Sequence, residues 1–149
     1  MASMIYLSVC LLALSQLTVG KPFKDCGSKI GSVLSMTVTP CDTKPCSLYK
    51  GKNATITIDF KTASAVTKAS AVVHGIVSHI PVPFPLDNPN VCEFVTPSCP
   101  LKPSEAKYTY NYTMLTSTAY PSIRVGIRWE LQDEDGNDIV CVQFPAQIV

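Results

Sequence analysis

Six cysteines, Cys26, Cys41, Cys46, Cys92, Cys99 and Cys141, constrain this chain more than any other feature of its sequence. They remain from seven once an N-terminal leader is set aside. Met4-Ile5-Tyr6-Leu7-Ser8-Val9-Cys10-Leu11-Leu12-Ala13-Leu14 is an apolar run that gives way to small and polar residues, Ser15 to Gly20. The pattern predicts a secretory signal peptide over residues 1–20, cleaved after Gly20, and one domain over residues 21–149. Its atypical point is that no Lys or Arg precedes the run. A membrane anchor would need roughly 20 apolar residues, and Ser8, Ser15, Gln16 and Thr18 interrupt this one. A secreted chain matures in an oxidising compartment, where an even set of cysteines reads as disulfides.

Spacing narrows the pairings. Cys41-Asp42-Thr43-Lys44-Pro45-Cys46 and the stretch from Cys92 to Cys99 are short loops that can close locally. Cys26 is left for Cys141, joining the two ends of the domain. A closure of that length is worth about 4–5 kcal/mol on the chain-entropy model, the short ones less. A zinc site is the alternative, but only His74 and His79 are available and no CxxC pair exists. We therefore expect no metal.

The rest of the domain reads as strands. Ile123, Val125, Ile127, Trp129 and Leu131 alternate with Arg124, Gly126, Arg128 and Glu130, the period of a half-buried strand. The acidic Asp133-Glu134-Asp135-Gly136-Asn137-Asp138 makes a turn, and a last strand over 139–149 completes a hairpin. Leu34, Met36 and Val38 alternate with Ser35, Thr37 and Thr39. Ala54, Ile56, Ile58 and Phe60 alternate with Asn53, Thr55, Thr57 and Asp59, and Tyr108, Tyr110 and Tyr112 with Thr109 and Asn111. No stretch carries a helical period with caps. The expectation is an all-β chain of six or more antiparallel strands in a two-sheet sandwich. Two sequons, Asn53-Ala54-Thr55 and Asn111-Tyr112-Thr113, place their Asn on the polar phase, as glycosylation requires.

Charge excludes one class of partner. With 12 Lys plus Arg against 11 Asp plus Glu, the balance removes the electrostatic argument for nucleic acid, which needs a basic face to neutralise phosphates. Catalytic constellations are also missing. No G-x-S-x-G elbow occurs, every cysteine of the domain is assigned to a disulfide, and no paired carboxylates outside the 133–138 turn are placed for acid–base work. That turn fails as an EF-hand loop, because Asp138 and Phe144 stand where Gly and Glu are needed. His74, next to Gly75, reads as a turn or core histidine, with pH sensing as the functional alternative. We expect neither enzyme nor cofactor.

Ile80-Pro81-Val82-Pro83-Phe84-Pro85-Leu86 alternates proline with large apolar residues. Proline at that density cannot join a central ladder, so this is a stiff loop or edge, either packed on the domain or forming the lip of an apolar site. A second apolar loop or edge, from Met114 to Pro121, can sit opposite it.

Phe23 to Ser28, Pro40-Cys41 to Pro45-Cys46, Ala71-Val72-Val73-His74-Gly75-Ile76, the Pro81 to Pro85 run, Tyr120-Pro121-Ser122-Ile123 and Trp129 to Asp133 together resemble the Niemann–Pick type C2 group of small sterol carriers in the ML lipid-recognition family. The resemblance covers the whole domain and all six of its cysteines. It implies an immunoglobulin-like β-sandwich whose two sheets part around an apolar cavity. It also implies unesterified cholesterol as cargo in the lysosomal lumen, and delivery to a multi-span lysosomal membrane sterol transporter of the Niemann–Pick type C pathway. The carrier would be a secreted monomer in transient contact with the lysosomal membrane. On the same ground Val82, Phe84, Tyr120 and Pro121 match the pocket mouth. Ile56, Phe60, Ile123 and Trp129 match the apolar positions between the sheets, which makes all eight sterol-binding candidates. Asn53 and Asn111 would carry the phosphorylated mannose that directs such a protein to lysosomes. The family's disulfide pattern agrees with the pairing reached from spacing. Thr116 and Val142 depart from the family's pattern, which favours a larger apolar residue at each, and the Cys92–Cys99 loop is one residue longer. Two alternatives stand beside the carrier: an ML-domain protein binding another lipid as a receptor co-factor, and a lipid-free interaction domain with Pro81 to Leu86 as its epitope.

Overall fold

A computed structural model describes residues 22–149; the signal peptide expected over residues 1–20 lies outside them. The described chain forms β1 (Lys24–Asp25), β2 (Gly31–Thr39), β3 (Cys46–Leu48), β4 (Asn53–Thr62), β5 (Ser70–Val77), β6 (Ile80–Pro83), a 3-10 turn at Val91–Glu93, β7 (Val95–Thr96), β8 (Tyr108–Leu115), β9 (Arg124–Gln132) and β10 (Asp138–Ile148). One sheet runs β1-β10-β9-β5-β6, with β3 also on β10; the other runs β2-β4-β8-β7. All pairings are antiparallel except the three-residue β3, which lies parallel to the end of β10. The two sheets stack as an immunoglobulin-like sandwich.

Period-two patterning drives this arrangement. Along β4 every second residue, Ala54, Ile56, Ile58 and Phe60, is buried, and each faces a β8 residue in register, from Met114 to Tyr108. Tyr108, Tyr110 and Tyr112 are buried from the other side of that pairing. β9 supplies Val125, Trp129 and Leu131 from the facing sheet. Burying each such large side chain contributes on the order of 1.5–3 kcal/mol.

β2 breaks the pattern once. A register shift between Val33 and Ser35 turns Leu34 outward, leaving it 44% exposed, while Met36 stays inside. An inserted residue reverses the facing of its neighbours, so Leu34 is not on the inner face that its alternation predicts. The proline-rich segment is the edge strand β6, paired only to β5. An edge position tolerates Pro81 and Pro83 because one side of the strand needs no donors. His74 corrects another expectation: it lies in neither a turn nor the core but on β5, between Arg128 and Pro83 of the neighbouring strands.

The sandwich is bound at three points. Cys26–Cys141 ties the start of the domain to β10, Cys41–Cys46 closes the loop before β3, and Cys92–Cys99 closes the segment around β7. Among the described residues no helix is long and apolar enough to cross a membrane.

Candidate functional site

Side-chain size along the sandwich decides where it is solid and where it is open. At one end Phe60 stacks on Tyr108 with ring centroids 5.8 Å apart, and Leu101, Ile139 and Val91 are fully buried around them. In the middle the rings of Tyr112 and Trp129 approach to 5.7 Å, closing the space between the sheets. Toward the other end the inward positions shrink to Ala54, Val73, Gly75 and Val125. Small residues on both sheets cannot fill the gap between two layers that pack about 10 Å apart. A cavity of about 470 Å³ opens there, within the range of small-molecule sites.

Trp129 stands at the closed end of this cavity, and Ile56, Met114, Leu48 and Ile148 line its flanks. No charged side chain lines it; the polar contribution comes from Thr55, Thr116, Tyr120 and Trp129. Thr55 already shares a 2.7 Å hydrogen bond with Thr113. Phe84 and Tyr120 meet edge to face at the open end, their centroids 5.7 Å apart. Phe84 is positioned by its backbone N–H, which donates to the Val73 carbonyl at 2.9 Å just beyond the end of β6. Tyr120 sits in a turn whose N–H reaches the Ser117 carbonyl at 3.3 Å. On β6, Val82 at the rim is 48% exposed, and Ile80, outside the lining, is 64% exposed.

Of the residues singled out from the sequence, Ile56, Val82, Phe84, Tyr120, Pro121, Ile123 and Trp129 come together around the cavity. Phe60 does not. Its ring is fully buried against Tyr108 in the solid end, although it shares an inner face with Ile56. Thr116 lines the cavity and is 2% exposed, whereas Val142 pairs with Trp129 in β10 and lies outside the lining. The sequence reading missed Ala54, Val73 and Gly75, whose smallness makes the space. Their signal is small residues on the inward phase of strands in facing sheets, Ala54 on β4 and Val73 and Gly75 on β5.

Asn53 and Asn111 are both exposed on the outer face of the second sheet. The acidic turn closes on itself: Asp133 Oδ1 accepts from the N–H groups of Asp135 (3.0 Å) and Asn137 (2.9 Å). Glu130, Asp138 and Cys141 offer ligand atoms close together, but the Cys141 sulfur is committed to its disulfide. Burial, with the neighbouring Glu130 carboxyl, pushes the Asp138 carboxyl up to about 6. Burial raises the Tyr110 hydroxyl well above the usual tyrosine range, against a smaller opposing effect of the nearby Trp129 side chain.

The geometry has counterparts. The model of the ML domain family matches residues 20–148. The chain is 37% identical over 145 residues to NPC intracellular cholesterol transporter 2 of Danio rerio, covering 96% of each protein. It is 42% identical over 128 residues to NPC intracellular cholesterol transporter 2 homolog a of Drosophila melanogaster, covering 85% of this chain and 86% of that one. Among solved structures, a Niemann-Pick type C2 protein from the Japanese carpenter ant superposes with a TM-score of 0.78 at 32% identity, over 85% of this chain and 98% of the other.

Proposed function

The chain belongs to the ML domain family, and from that premise we propose that it is a non-enzymatic sterol carrier that holds one unesterified cholesterol in the cavity between its sheets. The observation that carries this reading is the lining: an apolar chamber with no charged side chain, closed by Trp129 and mouthed by Phe84 and Tyr120. A neutral, rigid, nearly insoluble ligand suits such walls, because its binding is driven by removing apolar surface from water.

The magnitude is suited to transport. Cholesterol has about 28 heavy atoms, and drug-sized ligands reach roughly 0.3 kcal/mol per atom. The product, about 8 kcal/mol, corresponds to a dissociation constant near micromolar. That affinity holds the sterol in water and still releases it. No covalent step is involved. The Phe84–Tyr120 pair would gate the mouth by ring rotation, and the apolar Ile80 and Val82 beside it would bring the mouth against a membrane or a receiving protein.

The site of action we propose is the lysosomal lumen, after secretion-route synthesis and glycosylation at Asn53 and Asn111. The receiver is a multi-span membrane sterol transporter of the Niemann–Pick type C pathway. The names of the curated relatives support the cargo. Equilibrium binding of a fluorescent sterol at pH 5 and pH 7, with unlabelled cholesterol and a phospholipid as competitors, tests the proposal. Saturable one-to-one binding displaced by cholesterol alone is the expected result. Displacement by phospholipid alone would assign the cavity to another lipid.

A further inference from the structure

A second concavity, of about 820 Å³, lies on the outer face of the first sheet, across β9 from the sterol cavity. Strand alternation explains its position. Val125 points between the sheets and also borders the trough, while Arg124 and Gly126, one residue to either side, face outward into it. The Cys41–Cys46 loop forms one wall and contributes Lys44, and β1 contributes Lys24. Phe23, Pro45 and Pro145 give an apolar floor. Gly126 keeps that floor low, since a Cβ there would come within 3.3 Å of the Ile76 Cβ and 3.7 Å of the Gln143 amide nitrogen.

Its charge is one-sided. Lys24, Lys44 and Arg124 line the trough and no carboxylate does. None of the three makes an ion pair with a described residue; the ion pair seen among those residues is Arg128 with Glu130, at 3.2 Å. The Gln143 side chain, which also lines the trough, has no hydrogen-bond partner among the described residues. Uncompensated cations gathered over a low-dielectric floor attract anions more strongly than isolated surface lysines do.

We propose that this trough is a protein-docking site that takes an extended, carboxylate-bearing segment of a partner. Three features favour a peptide. The trough is far larger than a single anionic group needs. Its proline and phenylalanine floor offers apolar contact between the charges, and the Gln143 amide can meet a backbone. Its concavity, walled in part by the disulfide-closed loop, suits a segment of chain better than a flat lipid surface. Residues 1–21 of this chain contain no Asp or Glu and so do not match its charge.

The proposal is independent of the sterol reading, and its test keeps the two apart. Fluorescence anisotropy would follow a short fluorescein-labelled peptide of alternating Glu and Ser, and a control with Gln in place of Glu, at low and high salt. The acidic peptide should bind with a strong salt dependence, the control should not, and Lys44→Glu with Arg124→Glu should weaken binding by about tenfold or more. Lys44→Ala with Arg124→Ala should give a smaller loss. Sterol affinity and Trp129 emission of each variant report whether the fold and cavity survive. Equal binding of both peptides, or acidic binding that the double variants leave unchanged, overturns the proposal. Two further outcomes also overturn it. One is charge-reversal loss seen on sedimented phosphatidylserine vesicles but not with peptide, which would assign the trough to lipid. The other is salt-sensitive self-association in sedimentation, which would assign it to the acidic turn of a second copy.

Discussion

The rings of Phe84 and Tyr120 meet edge to face at 5.7 Å, joining the residue just past β6 to the turn before β9 across the mouth of the cavity. Neither element pairs with the other as a strand, so this contact is what spans the opening between them. Aromatic pairs of this geometry are worth about 0.5–1.5 kcal/mol beyond their burial. Phe84→Ala and Tyr120→Ser should each weaken sterol binding by about tenfold, which is 1.4 kcal/mol. Both should keep the far-ultraviolet circular dichroism of the parent. Unchanged affinity in both folded variants would remove the mouth assignment.

Phe60 separates core from cavity. It is fully buried against Tyr108 and outside the lining. Phe60→Ala should cost about 3–5 kcal/mol of stability, read as a fall in denaturant midpoint. Below that transition its sterol affinity should stay within about twofold of the parent, well inside the 1.4 kcal/mol that a tenfold change represents. A loss matching that of Tyr120→Ser would put Phe60 back among the sterol contacts.

What the sequence could reveal here follows from what alternation encodes. It reports which face a residue takes, and β4, β8 and β9 show the inward residues it predicts. It does not report depth along the strand. Ile56 and Phe60 share a face, and only the sizes of their neighbours on the opposite sheet put one at the cavity and the other in the solid end. Leu34 escaped because a bulge leaves no mark in the hydrophobic pattern. The trough escaped because Lys24, Lys44 and Arg124 come from three distant segments that meet only once β1, the Cys41–Cys46 loop and β9 are assembled.

Stability should depend on pH through Asp138. Its folded carboxyl is raised to about 6 from an ordinary 3.8, so the folded state binds a proton more tightly than the unfolded state. The resulting preference is fully present below about pH 4 and is lost as pH rises through 6. Asp138→Asn keeps an acceptor for Gln132, which donates to Oδ1 at 3.1 Å, and removes the partly buried charge. The variant should be more stable than the parent at pH 7 and equal to it near pH 3.5. Thermal melts across that range check this; a stability gain that grows toward acid pH would contradict it.

The disulfides should differ in weight according to the chain they close. Cys26–Cys141 spans 115 positions and Cys41–Cys46 spans 5. Replacing the first pair with Ser should cost about 4–5 kcal/mol, and the second about 2 kcal/mol. Chemical denaturation of the two double variants gives both numbers, and equal losses would refute the chain-entropy account.

The single tryptophan, Trp129, is 2% exposed and stands at the closed end of the cavity, so its emission reports on what enters. Titrating the purified domain with cholesterol while following Trp129 fluorescence tests most directly whether the space between the sheets is the sterol site. The account predicts a saturable spectral change at one sterol per chain, with a midpoint near micromolar or tighter. Sterol binding measured in parallel with no change in Trp129 emission would place the ligand elsewhere and contradict it.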